Sequence, residues 1–172
     1  MPFYTGIGSR QTPENVQQLM TQVAVEYASN NYTLRSGGAD GADKAFELGC
    51  DKSNGSKEIY IPWNGFNNCY TNQGYLVVDN DEAYAIAKDA HPAWDRCSPG
   101  AKRLHTRNVY QVLGANLNTP SEVIICWTAD GRGKGGTGQA IRIARNNNIE
   151  IIDLYNTLKH RDKLYKGDYY EY

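Results

Sequence analysis

Residues 121–154 read SEVIICWTADGRGKGGTGQAIRIARNNNIEIIDL, and their order decides the fold. The core of SEVIICW is a short, continuous, largely β-branched run, the pattern of a strand buried on both faces. A glycine-rich loop follows. GQAIRIARNN then predicts a helix that turns Ile141 and Ala144 inward, and IEIIDL predicts a second strand. Strand, helix and strand in this order imply a right-handed crossover between parallel strands.

The same alternation runs back to the start of the chain. FYTGIGSR is a short β-rich run ending in glycines, and Pro13 opens a helix carrying Val16, Leu19, Met20, Val23 and Tyr27. YTLRSGG predicts a strand, ADKAFELG a helix closed by Gly49, and KEIYIPW a strand ended by Pro62. A polar, Asn-rich connection covers 64–79. DEAYAIAKDA is a helix that stops before Pro92, and KRLHTRNVYQVLG is one ending at Gly114. The expectation is an α/β, Rossmann-like three-layer sandwich with a mostly parallel sheet. It forms one domain over residues 1–172, with a peripheral tail from about 155 that includes KLYKGDYYEY.

Bulk composition narrows the function. Of 172 residues, 40% are hydrophobic and 22% charged, which disfavours both disorder and membrane insertion. No apolar run spans a bilayer and no signal-peptide pattern opens the chain, so a soluble, cytoplasmic protein is expected. The net charge of −1 argues against broad electrostatic binding to nucleic acid. Cys50, Cys69, Cys97 and Cys126 are widely spaced without a CxxC pair, so no metal or disulfide framework is expected and reduced thiols are. No cofactor is expected either.

Three glycine-bearing segments fall at strand–helix junctions: Gly6–Gly8, Gly37–Gly41 within RSGGADGAD, and Gly131–Gly138. Ligands of open α/β sheets bind outside the carboxyl ends of the strands, where the strand order reverses. Glycine lets backbone approach phosphate oxygens, and the next helix supplies unpaired N–H groups. Ser9, Ser36 and Thr137 add hydroxyls, and Arg10 or Lys134 adds charge. Asp40 and Asp43 would repel phosphate. Asp40 is read as the ligand contact, through a ribose hydroxyl or ring N–H, and Asp43 mainly as a helix cap.

GIGSRQTP, SGGADGADKAFELG, RNVYQVLG and the stretch from Val123 to Leu154 together resemble the SLOG superfamily. That Rossmann-like group includes DprA-type DNA-processing proteins, YspA-like proteins and Lonely-guy phosphoribohydrolases. The resemblance is closest to compact DprA-like proteins encoded by tailed phages, and it implies a nucleotide-type ligand over the strand ends. Gly8, Ser9 and Arg10 match the first motif, and Ser36, Gly37, Gly38 and Asp43 the second. Arg107 and Asn108 match the Arg–Asn element of YspA-like members. Gly135, Gly136, Thr137 and Gly138 match the phosphate loop, with altered glycine spacing. Two positions depart from the family. Where Lonely-guy hydrolases carry a glutamate this chain has Ala140, preceded by Gln139, leaving only Asp40 or Asp130 to replace it. Where DprA-type and YspA-like members usually place arginine this chain has Asp40, which weakens a DNA-phosphate role.

The expected function is binding, and possible sequestration, of a small nucleotide such as an ADP-ribose-type or cyclic nucleotide immune signal. By family analogy this suits a phage anti-defence protein acting as a sponge in the host cytoplasm. Trp63, Trp94 or Trp127 would stack on the base, Trp127 being the best placed. The partner is then a small nucleotide rather than nucleic acid or membrane, and a homo-oligomer is expected. One alternative is an N-glycosidic or phosphate-bond hydrolase, for which His91, His105 and Asp95 are the candidates beyond the loops. The other is DprA-like binding of single-stranded DNA.

Overall fold

In the computed structural model, which describes residues 2–159, five parallel strands form one sheet in the order β3-β2-β1-β4-β5. The strands are β1 (Phe3–Gly6), β2 (Thr33–Ser36), β3 (Lys57–Ile59), β4 (Val123–Cys126) and β5 (Glu150–Asp153). The helices are α1 (Glu14–Ser29), α2 (Ala42–Lys52), α3 (Asp81–Ala90), α4 (Pro99–Leu113) and α5 (Gly135–Asn146). This is the α/β, Rossmann-like architecture expected from the alternation of elements.

β4 shows why the run VIIC is apolar at every position. Val123 and Ile125 face a core built with Val16, Met20 and Ala24 of α1 and Phe46 of α2. Ile124 and Cys126 face the opposite core, built with Ala87 of α3, Val109 and Val112 of α4, and Ile141 and Ala144 of α5. A strand covered by helices on both faces cannot alternate apolar with polar residues. The order reverses between β1 and β4, whose pairing runs from Tyr4↔Val123 to Gly6↔Ile125.

Several of the tyrosines are packing residues. Tyr4 lies 4.3 Å, centroid to centroid, from Tyr27, and Tyr27 lies 4.8 Å from Tyr32. The one arginine in a strand among the described residues, Arg35, is buried, but its Nε donates to Glu58 Oε1 at 3.0 Å and its guanidinium covers the Phe3 ring. A buried charge needs such partners.

One predicted boundary is wrong. Helix α2 continues through Gly49 to Lys52 instead of closing there. A Cβ at Gly49 would lie 2.2 Å from the Thr21 carbonyl oxygen of α1, so this glycine permits close helix–helix approach and is not a cap. The Asn-rich connection is also more ordered than its composition suggests. It holds 3-10 turns at Phe66–Asn68 and Thr71–Gln73, and Leu76 pairs with Tyr60 beside the sheet. A helical stretch covers 154–159, and the rest of the tail, KLYKGDYYEY included, lies outside the described residues. No helix among the described residues is long and apolar enough to cross a membrane.

Candidate functional site

Where the strand order reverses, the chain leaves β1 through Ile7, Gly8, Ser9 and Arg10. This turn is tied to β4: Ile7 N donates to Ile125 O at 3.1 Å, and Ser9 N to Trp127 O at 3.2 Å. Helix α5 begins beside it at Gly135, and no side chain caps its first turn. Its leading N–H groups therefore keep their hydrogen-bonding capacity and the positive end of the helix dipole.

Helix α4 joins the loops. Arg107 is buried, and its Nη1 donates to Gly37 O at 2.6 Å and to Tyr60 O at 3.0 Å, carbonyls at the ends of β2 and β3. Its Nε donates to Asn108 Oδ1 at 3.1 Å. Asn108 Nδ2 in turn donates to Gly136 O at 2.9 Å. The Arg–Asn pair thus straps the loop after β2 to the loop after β4, and Gln111, one turn further along the same helix face, extends it.

Above this strap lies a cavity of about 710 Å³. Of the residues singled out in the sequence, it brings together Gly8, Ser9, Arg10, Asp43, Arg107, Asn108, Gly135, Gly136 and Thr137, with Lys134 beside them. Trp63 and Phe66 form an aromatic wall, edge to face at 5.6 Å. Phe66, Gln11, Leu104 and Gln111 were not anticipated. Gln111 had a signal, since it lies four residues after Arg107. Phe66 had none, because its place depends on how the Asn-rich connection folds.

Six of the predicted residues lie elsewhere. Ser36 is fully buried and does not line the cavity. Gly37 packs beneath the cavity: a Cβ there would lie 2.3 Å from Gln111 Nε2 and 2.7 Å from Arg107 Nη1. Gly38, at φ 71°, faces Cys69 and Ile61. Trp127 is partly buried, packed against the core and edge-on to Tyr155, so Trp63 is the tryptophan at the cavity. Trp94, the third candidate for stacking, is also core.

Asp40 lies outside the cavity too, and neither carboxylate keeps the role expected of it. Asp40 is exposed, 3.3 Å from Lys44 Nζ, and accepts from Asn67 Nδ2 at 3.0 Å. The Asn67 bond and the Lys44 ammonium hold its carboxyl below the usual range. Asp43 makes no cap on α2. It lines the cavity wall, buried, and its Oδ2 accepts from Ala39 N at 3.2 Å. Burial pushes its carboxyl up to about 6, against the opposing influence of the Arg107 charge.

His105 also lines the cavity, and behind it stand His91 and Cys97. Burial pushes the His105 imidazole down to about 4, with the neighbouring His91, Arg142 and Arg107 acting in the same direction. Ala140 and Gln139 are fully buried, and Gln139 Nε2 donates to Ala87 O at 2.8 Å, so neither reaches the cavity.

No protein-family model and no curated protein matches the chain. Among solved structures it is similar to DNA processing protein A (DprA) from Streptococcus pneumoniae. That match has 15% identity, covers 88% of this chain and 49% of the other, and gives a TM-score of 0.51. This chain therefore spans about half the length of the pneumococcal protein. DprA from Helicobacter pylori, solved to explain its single-stranded DNA binding mode, matches at 14% identity over 94% of this chain and 73% of the other, TM-score 0.51. The molybdenum cofactor carrier protein of Chlamydomonas reinhardtii matches at 12% identity over 96% and 98%, TM-score 0.40. The chain has the Rossmann-like fold that DprA also has.

Proposed function

We propose that the cavity holds a small nucleotide of the ADP-ribose type. One observation carries this reading: an uncapped helix N-terminus, the cations Arg10, Lys134 and Arg107, and the Trp63–Phe66 wall all border one cavity. Phosphate oxygens suit the α5 N-terminus and the Ser9–Arg10 turn, where N–H donors and positive charge coincide. A base suits Trp63, since stacking contributes roughly 1–3 kcal/mol. The ligand is retained rather than converted, because the position that carries a glutamate in the Lonely-guy hydrolases is Ala140, buried in the core. Sequestration of a nucleotide immune signal by a phage-encoded protein is the setting this reading fits.

A second reading rests on Asp43. It is the carboxylate that lines the cavity among the described residues, and a carboxyl raised to about 6 can exchange a proton near neutrality. On this reading the protein cleaves an N-glycosidic bond with Asp43 as the acid–base group.

One experiment separates these readings from DNA binding. The purified protein is incubated with a panel of nucleotides and single-stranded oligonucleotides, washed, heat-denatured, and the released material identified by mass spectrometry. Intact nucleotide supports retention, and new products that vanish in Asp43→Asn support hydrolysis. Oligonucleotide bound in preference to every nucleotide overturns both.

A further inference from the structure

The segment between α3 and α4 packs against α4 and brings three potential metal ligands together: His91 and Cys97 of the segment and His105 of the helix. We propose that they form a binding site for a divalent transition metal of the zinc class, pinning the 91–98 segment to α4 behind the cavity wall. One nitrogen of each imidazole and the sulfur lie within 4.8 Å of one another, and Cys97 Sγ is 3.8 Å from His91 Nε2 and 3.9 Å from His91 Nδ1. Zinc bound to imidazole and thiolate at its usual bond lengths places neighbouring ligand atoms roughly 3.3–3.7 Å apart in a tetrahedron. The three groups thus need to close by at most about 1.5 Å to share one ion.

A second observation is independent of the clustering. His105 Nδ1 is buried and has no hydrogen-bond partner, and a buried polar atom without a partner is costly. A metal would satisfy it. The donor set of two imidazoles and one thiolate is the one zinc accepts, with a fourth position for water or an incoming group.

Two features oppose binding. His91 Nδ1 accepts from Ala93 N at 3.0 Å, so ligation requires giving up that bond or a half-turn of the ring. Arg142 adds positive charge beside both histidines. The Cys97 thiolate offsets part of that charge when it loses its proton on binding. The spacing His-x5-Cys-x7-His matches no common zinc signature, which is why the sequence alone pointed to reduced, unligated thiols.

The test uses the full chain, stripped with chelator and titrated with zinc chloride by calorimetry, with unfolding midpoints recorded in parallel. The expected result is one zinc per chain, a raised midpoint, and affinity at least 100-fold lower in Cys97→Ser. Cobalt(II) adds a signature that a packing role would not move: a thiolate-to-cobalt absorption band present in the parent and lost in Cys97→Ser. His91→Gln, which keeps a side chain of similar polarity, should weaken zinc binding to the same degree. Failure to bind zinc, or binding that persists unchanged in Cys97→Ser, overturns the site.

Discussion

The loops after β2 and after β4 look alike in sequence, since each crowds glycines at the carboxyl end of a strand, yet glycine stands there for opposite reasons. At Gly37 the space is occupied: Gln111, Arg107 and Asp43 already fill the place a side chain would take. At Gly136 the space is free, because a Cβ there would have no neighbour within 4 Å, and the residue borders the cavity. The first loop is the floor of the site, and the second is a surface a ligand can approach. Arg107 and Asn108 join them, so a change to the floor is felt at the surface.

The largest effect that separates the loops is expected at Gly37. Gly37→Val drives a side chain into three buried polar groups and should destabilise the protein by about 3 kcal/mol, the upper range for overpacking. Denaturant unfolding checks it. An unchanged midpoint would mean the floor is not packed as described.

Asp43 comes next. Its carboxyl titrates near 6 in the folded protein and near 3.8 when unfolded, so the folded state binds that proton more tightly. The stability this contributes is present below about pH 4 and is lost as the pH rises through 6. Asp43→Asn has no such titration. The stability of the parent relative to Asp43→Asn should therefore fall by about 2–3 kcal/mol between pH 4 and pH 7. A difference that stays flat with pH, in unfolding curves taken across that range, would show that the carboxyl is not held in a dry wall.

Arg107 tests the strap itself. Lysine keeps the charge but cannot reach Gly37 O, Tyr60 O and Asn108 Oδ1 at once. Arg107→Lys should cost about 2 kcal/mol of stability, the size of a charged hydrogen bond lost, and weaken nucleotide binding about tenfold or more. Arg103→Lys, on the same helix but not on the cavity, should leave affinity unchanged. Calorimetry of both variants decides whether the strap reaches the ligand. Asp40→Asn should produce the smallest effect, with neither midpoint nor affinity moving measurably, because its ion pair with Lys44 is exposed.

Much of this architecture was legible because each strand and helix announces itself locally. VIIC could only be a doubly buried strand, and the three glycine segments fall at β–α junctions that a parallel sheet must gather at one edge. What was not legible depends on long-range packing. Nothing local distinguishes Asp40 from Asp43 in ADGAD: three residues along the start of α2 turn one carboxylate to solvent and the other into the wall. Gly49 reads as a helix stop until α1 is seen to pass against it. Trp127 follows the most strongly predicted strand, but the residues after it carry the chain away to the cavity while the ring folds back on the core. Phe66 reaches the cavity from a connection whose sequence suggested only a loop, and there it meets Trp63, which stands just before that connection.

Gly136→Val, measured for unfolding midpoint and for affinity to the nucleotide that the panel identifies, puts the ligand site itself at stake. A side chain there meets no protein atom within 4 Å and blocks backbone approach to phosphate. The expected result is a stability within about 0.5 kcal/mol of the parent, as for a substitution away from packed features, together with loss of binding. Unchanged affinity in a folded Gly136→Val protein would contradict this picture, and would remove the loop after β4 from the ligand site.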